Sequence, residues 1–344
     1  MEHFISGAQL DTRSKVEKSK DYKFEEIVAF ANPVQWVEKT PDQWRKFPIF
    51  NQNGSGSCVA QTQAKEMGIM RYLKDGNYVH FSAADIYQKR FGKPVAGMGA
   101  IEARNIAKNG VTLEILAPSQ ALSDSEMDSL VIEDYKHEVG NVFSVTNYIE
   151  LPIGNIEILA SFIQTTGKGA MVWFFFEYKE WTDHPYVYNK DLMVTDPGIC
   201  RHSVTAVDFC LVNGKKSIII EDSWGPNYGL NGQRVIDEEF FKTRNFYAGY
   251  LMNFKFDEQI VKPHYIFLKD LELGMLGADV TMLQTCLQYE KLFPTNVKPT
   301  QYFGSITRKA VQDFQTKYSI AFDGMLGYGR VGPKTRAKLN EIFG

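Results

Sequence analysis

Three apolar rhythms follow one another along this chain, and each restricts what its own stretch can fold into. From Cys58 onward Val59, Ala60, Met67, Met70 and Leu73, with Gln63 on the same stripe, recur at three- and four-residue spacing up to Asp75-Gly76. That is one face of a helix with its stop signal. Further helices are expected at 82–90, 99–109 and 155–165, the last closed by Gly167 and Gly169. The period then shortens. Residues 170–176, 203–212, 217–221 and 233–236 read as strands, and Asn213-Gly214 joins the second to the third as a hairpin. Helices first and strands afterwards predict an α+β domain in two halves with a cleft between them. From Leu268 the style changes again. Glycines at 274, 277, 304, 324, 327, 329 and 332 punctuate three short helical blocks. Leu283-Gln284 and Phe314-Gln315 fall at matching places, and Pro333 stands where a first helical turn tolerates it. This end reads as a small, internally repeated helical module.

At 344 residues the chain is long enough for about two domains. The expected division is a polar N-terminal arm over 1–25, a main domain over 26–256, a linker over 257–267 and the helical module over 268–344. Trp36, Trp44 and three prolines (Pro33, Pro41, Pro48) make 27–50 an extended, anchored segment. The formal charge is −3, divided as +3 from His264 onward and −6 before it. There is no basic run and no RNA-binding aromatic motif, so nucleic acid is not the expected partner. No membrane span is expected, because the densest apolar run, 170–176, is far short of the roughly 18 residues a spanning helix needs. Charged residues between Asp11 and Lys20 leave no apolar signal core, so synthesis in the cytoplasm is expected and no final address can be read. Four cysteines are sparse for a disulfide scaffold and favour a reducing compartment. Cys210 and Cys286 lie in apolar runs and read as core. Cys200, two residues from His202, is ambiguous between core and a cleft-lining place without a chemical role of its own.

One constellation carries chemistry. Gln52-Asn53-Gly54-Ser55-Gly56-Ser57 leads into Cys58, where a helix begins. A thiol at a helix start meets unsatisfied N–H groups and the positive dipole end, which favours the thiolate. His202 lies 144 residues downstream, within the spacing of about 130–150 that marks one thiol-protease family. Asp222, ending a strand-like run, can accept from the second imidazole nitrogen and hold one tautomer. The Gln52 side-chain amide and the Cys58 backbone N–H can converge on a developing oxyanion, with small residues between them to let the chain curl. The chemistry needs no cofactor and no metal. Taken alone, a Cys at a helix start, a His before a strand or an Asp-Ser-Trp-Gly turn is ordinary; their order and spacing together are not.

These motifs resemble those of papain-like cysteine peptidases. The similarity runs over about residues 30–255, through Gln52…Gly56-Ser57-Cys58, His202-Ser203-Val204 and Asp222-Ser223-Trp224-Gly225…Gly229…Asn231-Gly232. It implies a two-lobed fold, a helical lobe beside a β-barrel-like one. It implies Cys58 as nucleophile, His202 as acid and base, Gln52 as oxyanion donor and Asp222 as orienter. By the same resemblance Trp224 shields the bond between His202 and its orienter, and Gly97-Met98-Gly99 is the stretch along which a substrate backbone pairs. Three departures stand out. Asp222 replaces the usual Asn, Val59 replaces the usual Trp, and Ser55 stands where many members carry a disulfide cysteine. No long inhibitory prodomain is expected, since the roughly 25 residues before the domain would not cover a cleft in the same way, though they can lie near it. The tail, through Gly277-x-Asp279-Val280-x-x-Leu283-Gln284-x-x-Leu287 and Phe303-Gly304-x-x-Thr307-x-x-Ala310-Val311-x-x-Phe314-Gln315, resembles a three-helix peptidoglycan-binding-like domain. Most of those positions are core; Tyr302, Tyr328 and Arg330 are candidate surface contacts.

The expected function is a cysteine endopeptidase acting on protein or peptide, tethered to peptidoglycan through 268–344. One alternative is a lysin that cuts the peptides of the cell wall, of phage or bacterial origin. The other is a binding or virion-structural protein that keeps the fold without the activity.

Overall fold

The computed structural model describes residues 7–18, 33–141, 143–182, 191–256, 262–294, 297 and 299–344. The chain divides into two compact units, Met1–Asp257 and Glu258–Gly344. Of the expected N-terminal arm, 1–6 and 19–25 lie outside the described residues, as do 257–261 of the expected linker.

In the first unit, α1 (Lys15–Lys18), α2 (Cys58–Asp75), α3 (Ala83–Tyr87), α4 (Ala100–Lys108), α5 (Asp124–Ser129) and α6 (Asp134–Asn141) precede strand β1 (Phe143–Glu150). Then come α7 (Ile156–Thr166), β2 (Ala170–Phe176), α8 (Tyr178–Thr182), β3 (Cys200–Val212), β4 (Lys215–Glu221), β5 (Gln233–Asp237), α9 (Glu238–Arg244) and β6 (Asn245–Phe256). The strands form one sheet in the order β1-β6-β2-β3-β4-β5, every neighbouring pair antiparallel.

Strand β2 is apolar at every position and buried throughout, which a strand covered on both faces requires. Its side chains alternate between two cores. Val172, Phe174 and Phe176 join Ile218, Ile220 and Ile236 under α7 and α9. Met171 and Trp173 join Val59, Ala60, Ala64 and Met67 of α2. Helix α2 is buried all round over its first twelve residues, 58–69. Its buried Lys65 is therefore paired, 2.8 Å from Glu221. Gly76 ends the helix in the left-handed conformation, its N–H on the Tyr72 carbonyl. The expected hairpin is present: Asn213 and Gly214 both take positive φ, the two-residue turn whose twist matches the strands.

Two strands were not foreseen. β1 and β6 pair with each other, Ile149 opposite Tyr250, and β6 also pairs with β2, so the sheet begins inside the half read as helical. Strand β3 starts at Cys200 rather than 203, which puts His202 within the sheet.

The second unit holds α10 (Ala278–Tyr289), α11 (Ser305–Lys317) and α12 (Pro333–Phe343) around Leu283, Leu287, Val311, Phe314 and Leu339. The repeat is physical. Gln284 Nε2 donates to the Tyr302 carbonyl (2.9 Å) and to Thr307 Oγ1 (2.7 Å), clamping the entry to α11. Gln315 Nε2 donates to the Arg330 carbonyl (2.8 Å) and to Thr335 Oγ1 (2.9 Å), clamping the entry to α12 in the same way. Packing begins before residue 268: the Tyr265 N–H donates to the Phe343 carbonyl, and buried Phe267 joins this core. Tyr302 is exposed, Tyr328 bonds Thr316, and Arg330 is engaged by Asp270 and Glu272.

Candidate active site

Cys58 is the first residue of α2 and is fully buried. The loop before it turns at Asn53 and Gly54, both at positive φ, and closes with the Ser55 N–H on the Gln52 carbonyl at 2.9 Å. Ser55, at the position of the missing cysteine, bonds Ser57 Oγ at 2.8 Å and the Gln52 carbonyl at 2.6 Å. The loop is tied to the Asp222-Ser223-Trp224-Gly225 stretch. The Gln52 N–H donates to the Ser223 carbonyl (2.7 Å), and the Gly225 N–H to the Phe50 carbonyl (3.0 Å). Ser223 Oγ donates to Gln52 Oε1, and Gln52 Nε2 donates to the Ser55 carbonyl, both at 2.5 Å, so the buried amide has one orientation.

His202 projects from β3, and the loop after β4 brings Asp222 to it. His202 Nε2 lies 2.8 Å from Asp222 Oδ1, and the Cys58 thiol is close enough to influence the ring's protonation. The sheet and α2 are joined close by, where Ser203 Oγ donates to Thr62 Oγ1 at 2.9 Å. Burial alone would lower the imidazole pKa. The Asp222 charge and hydrogen bond, with the nearby Cys58 thiol, outweigh it and push His202 up to about 9. Asp222 is also buried, which would raise it, but Arg234 first and His202 next hold it well below the carboxylate range. Trp224 lies over His202 with ring centroids 5.4 Å apart.

Two side chains that the motifs did not single out complete the site. Asp222 Oδ2 accepts from Trp181 Nε1 (2.9 Å) and from Arg234 Nε (2.7 Å). Trp181 also meets His202 edge-on at 5.9 Å. No motif marks Trp181, which reads as an ordinary apolar residue of a short helix. The available sign for Arg234 was its place two residues before Ile236, on the face of β5 that a period of two assigns to the core.

The Gly97-Met98-Gly99 stretch does pair with an extended backbone, that of the chain's own N-terminal strap. The Met98 N–H donates to the Gly7 carbonyl (2.9 Å), and the Gln9 N–H to the Met98 carbonyl (3.2 Å), a parallel bridge centred on Ala8. The Ala8 N–H reaches the Arg201 carbonyl at 3.3 Å, beside His202. Gly7 lies against the nucleophile loop. A Cβ there would overlap the Gly56 carbonyl and stand 2.8 Å from Cys58 Sγ. The two walls are linked by Asp124, which accepts from the Gly56 N–H (3.0 Å) and from Tyr87 Oη (2.6 Å), while Tyr87 accepts from the Gly97 N–H (3.0 Å). Beside the strap a cavity of about 500 Å³ is lined by Leu10, Ala100, Trp173, Val194, Phe246 and Tyr247. Cys200 is half-buried at the start of β3, and burial raises its thiol. Cys210 and Cys286 are core. Among the described residues no helix is long and apolar enough to cross a membrane.

Known proteins share this architecture. Chymopapain of Carica papaya is 25% identical over 224 residues, 62% of this chain and 57% of chymopapain, so the chain spans little more than half of that relative. Xylellain, a cysteine protease from Xylella fastidiosa, superposes with a TM-score of 0.55 at 16% identity, over 74% of this chain and 98% of xylellain. Residues 277–339 match the family described as "Putative peptidoglycan binding domain". The fold is the papain-like one. By fold and relatives the chain is similar to papain-like cysteine peptidases, and its residues 277–339 are similar to a peptidoglycan-binding domain.

Proposed function

We propose that the chain is a cysteine endopeptidase that works through Cys58, His202 and Asp222, with Gln52 as oxyanion donor. The observation that carries this reading is His202, which lies 2.8 Å from Asp222 Oδ1 while the Cys58 thiol is near enough to the same ring to help hold it protonated. Cys58 Sγ attacks the peptide carbonyl carbon, and the C–O π pair moves onto oxygen. The Cys58 N–H and the Gln52 amide N–H that Ser55 does not take stabilise that oxyanion. Collapse breaks the C–N bond as imidazolium gives its proton to the leaving amine, leaving a thioester. A water then gives a proton back to His202 and attacks the thioester, releasing the acid and the thiolate. The Met98 N–H and carbonyl, with Gly97 and Gly99 beside them, hold the substrate backbone where they now hold the strap. Trp224 keeps water from the His202–Asp222 bond.

Wild type and Cys58→Ala are to be incubated with casein and with a peptidyl epoxide. Cleavage and labelling at Cys58 are expected in the first and neither in the second. Casein cleavage that survives Cys58→Ala refutes the assignment.

The family match over 277–339 favours a second reading, in which the substrate is the peptide portion of peptidoglycan. Binding of the second unit to the wall would concentrate the enzyme there. Sedimentation of the full chain with insoluble peptidoglycan, and turbidity loss of that material dependent on Cys58, support this reading. Casein digestion with no sedimentation and no clearing excludes it.

A further inference from the structure

We propose that Arg234 is a positioning residue whose charge and hydrogen bonds let an aspartate serve where the similar peptidases usually carry a neutral asparagine. The inference rests on the Cys58–His202–Asp222 reading. Its structural basis is the far side of Asp222. One carboxylate oxygen faces His202, and the other is held by Trp181 Nε1 and Arg234 Nε. Arg234 Nη1 also donates to the Trp181 carbonyl at 2.7 Å, so arginine, tryptophan and carboxylate close a ring of bonds. The side chains of Asp222 and Arg234 are 0% and 2% exposed, which leaves water no part in balancing either. The guanidinium lies 5.1 Å from the Trp181 ring and 5.4 Å from the Trp224 ring, the same indole that covers His202. Arg234 therefore fixes the carboxylate and braces two of the rings around the imidazole.

Charge counting gives the reason. In the reactive state the buried site holds thiolate, imidazolium, carboxylate and guanidinium, two charges of each sign. Asparagine with an apolar residue at 234 would also balance, with one of each. Aspartate without the arginine leaves one buried negative charge uncompensated, and arginine without the aspartate leaves one positive. Uncompensated buried charge is the costly case. The groups packed around His202 are Cys58 from α2, Asp222 after β4 and Arg234 from β5. Other buried charges of this unit are paired among themselves, Lys65 with Glu221 at 2.8 Å and Glu180 with Arg244 at 2.7 Å, and the Arg201 guanidinium is turned to the Val194 carbonyl. They leave the balance to the four.

The test is a double-mutant cycle on the full chain, reading the rate of Cys58 labelling by a peptidyl epoxide as a function of pH. Arg234→Met removes the cation that offsets Asp222, so imidazolium should persist further and the alkaline limb should move up. Asp222→Asn removes the anion and leaves the cation, so that limb should move down. Each single change should lower the optimum rate by roughly tenfold or more, the range of couplings between contacting residues. The double variant should recover most of the lost rate and bring the limb back toward wild type. Arg234→Lys, which keeps the charge, should keep the limb near its place.

Losses that simply add in the double variant overturn the proposal. So does an Arg234→Met protein with unchanged rate and limb. If Arg234→Met does not fold, the comparison of Asp222→Asn with the double variant decides: recovery in the double supports the coupling, and its absence overturns it. If wild type is not labelled at Cys58, the peptidase reading fails, and this inference falls with it.

Discussion

Gly7→Ala should open the cleft. At Gly7 a methyl group has no room, because it would overlap the Gly56 carbonyl and press on Cys58 Sγ. The strap must then leave, and its losses can be counted. Three main-chain hydrogen bonds go, to Met98 twice and to Arg201 once. They are long or ordinary, so each contributes about 0.5–1 kcal/mol net. Ala8, 2% exposed, loses its burial as well, about 0.8 kcal/mol for one methyl group. Together they hold the strap in place by about 2.3–3.8 kcal/mol, so their loss raises the open population by up to roughly 50- to 600-fold. The assay is the second-order rate of Cys58 labelling by a peptidyl epoxide, which needs the cleft and not only the thiol. That rate should rise by up to the same factor. Ala8→Gly, which removes one methyl without a clash, should raise it less than about fivefold. A Gly7→Ala protein labelled no faster than wild type would refute the counting, since the strap would then impose no barrier.

Other outcomes follow from the same geometry. Gln52→Ala should lower kcat by about 10²–10³ with little change in KM, the loss of one oxyanion donor; equal falls in kcat and in the affinity for an uncleaved analogue would remove that role. Because His202 titrates at about 9 rather than at the ordinary 6.5, its charged form extends upward, and wild-type activity should fall through pH 9; a limb near 6.5 would contradict the site. Burial raises Glu66 to about 8 against the opposing influence of Arg104. The unfolded state ionises first, so stability falls between pH 4.5 and 8. Glu66→Gln should then stabilise the first unit at pH 8 by on the order of 4 kcal/mol, read as a higher melting temperature, and do nothing at pH 4; a pH-independent gain would count against this account. Gln315→Leu strands the Gly329 N–H and frees the entry to α12. It should cost about 2–3 kcal/mol and speed amide exchange in α10–α12 while Cys58 labelling stays constant; unchanged exchange would show that the clamp contributes nothing.

The sequence carried the parts of this molecule that depend on local chemistry. The helix from Cys58, the unbroken run of β2 and the Asn213-Gly214 turn were legible because spacing and turn residues specify them directly. The candidate residues Gln52, Cys58, His202 and Asp222 were singled out by their order, and in the structure His202 meets Asp222, Gln52 meets the neighbouring Ser223, and the Cys58 thiol lies near His202. What escaped depends on partners distant along the chain. β1 and β6 pair across more than ninety residues, with register shifts near Asn147, so neither shows a clean period of its own. Trp181 and Arg234 matter through the carboxylate they share, which no window around either can reveal. The strap's place was hidden for another reason: main-chain atoms hold it, and only the absence of a side chain at Gly7 hints at the fit.

One sheet lies under both cores, and this bears on how the cleft can respond. Alternate residues of β2 feed the cores on its two faces, Phe174 on one side and Trp173 on the other. The nucleophile's helix is packed on the strand that carries His202 and is bonded to it through Thr62 and Ser203. Spreading α2 from β3 would therefore break buried packing and the Thr62–Ser203 bond rather than turn a hinge. The distance between sulfur and imidazole is thus set at folding, before any ligand arrives. Selectivity falls to whatever can slide into a fixed slot, and the kinetics of entry to how fast that slot is vacated.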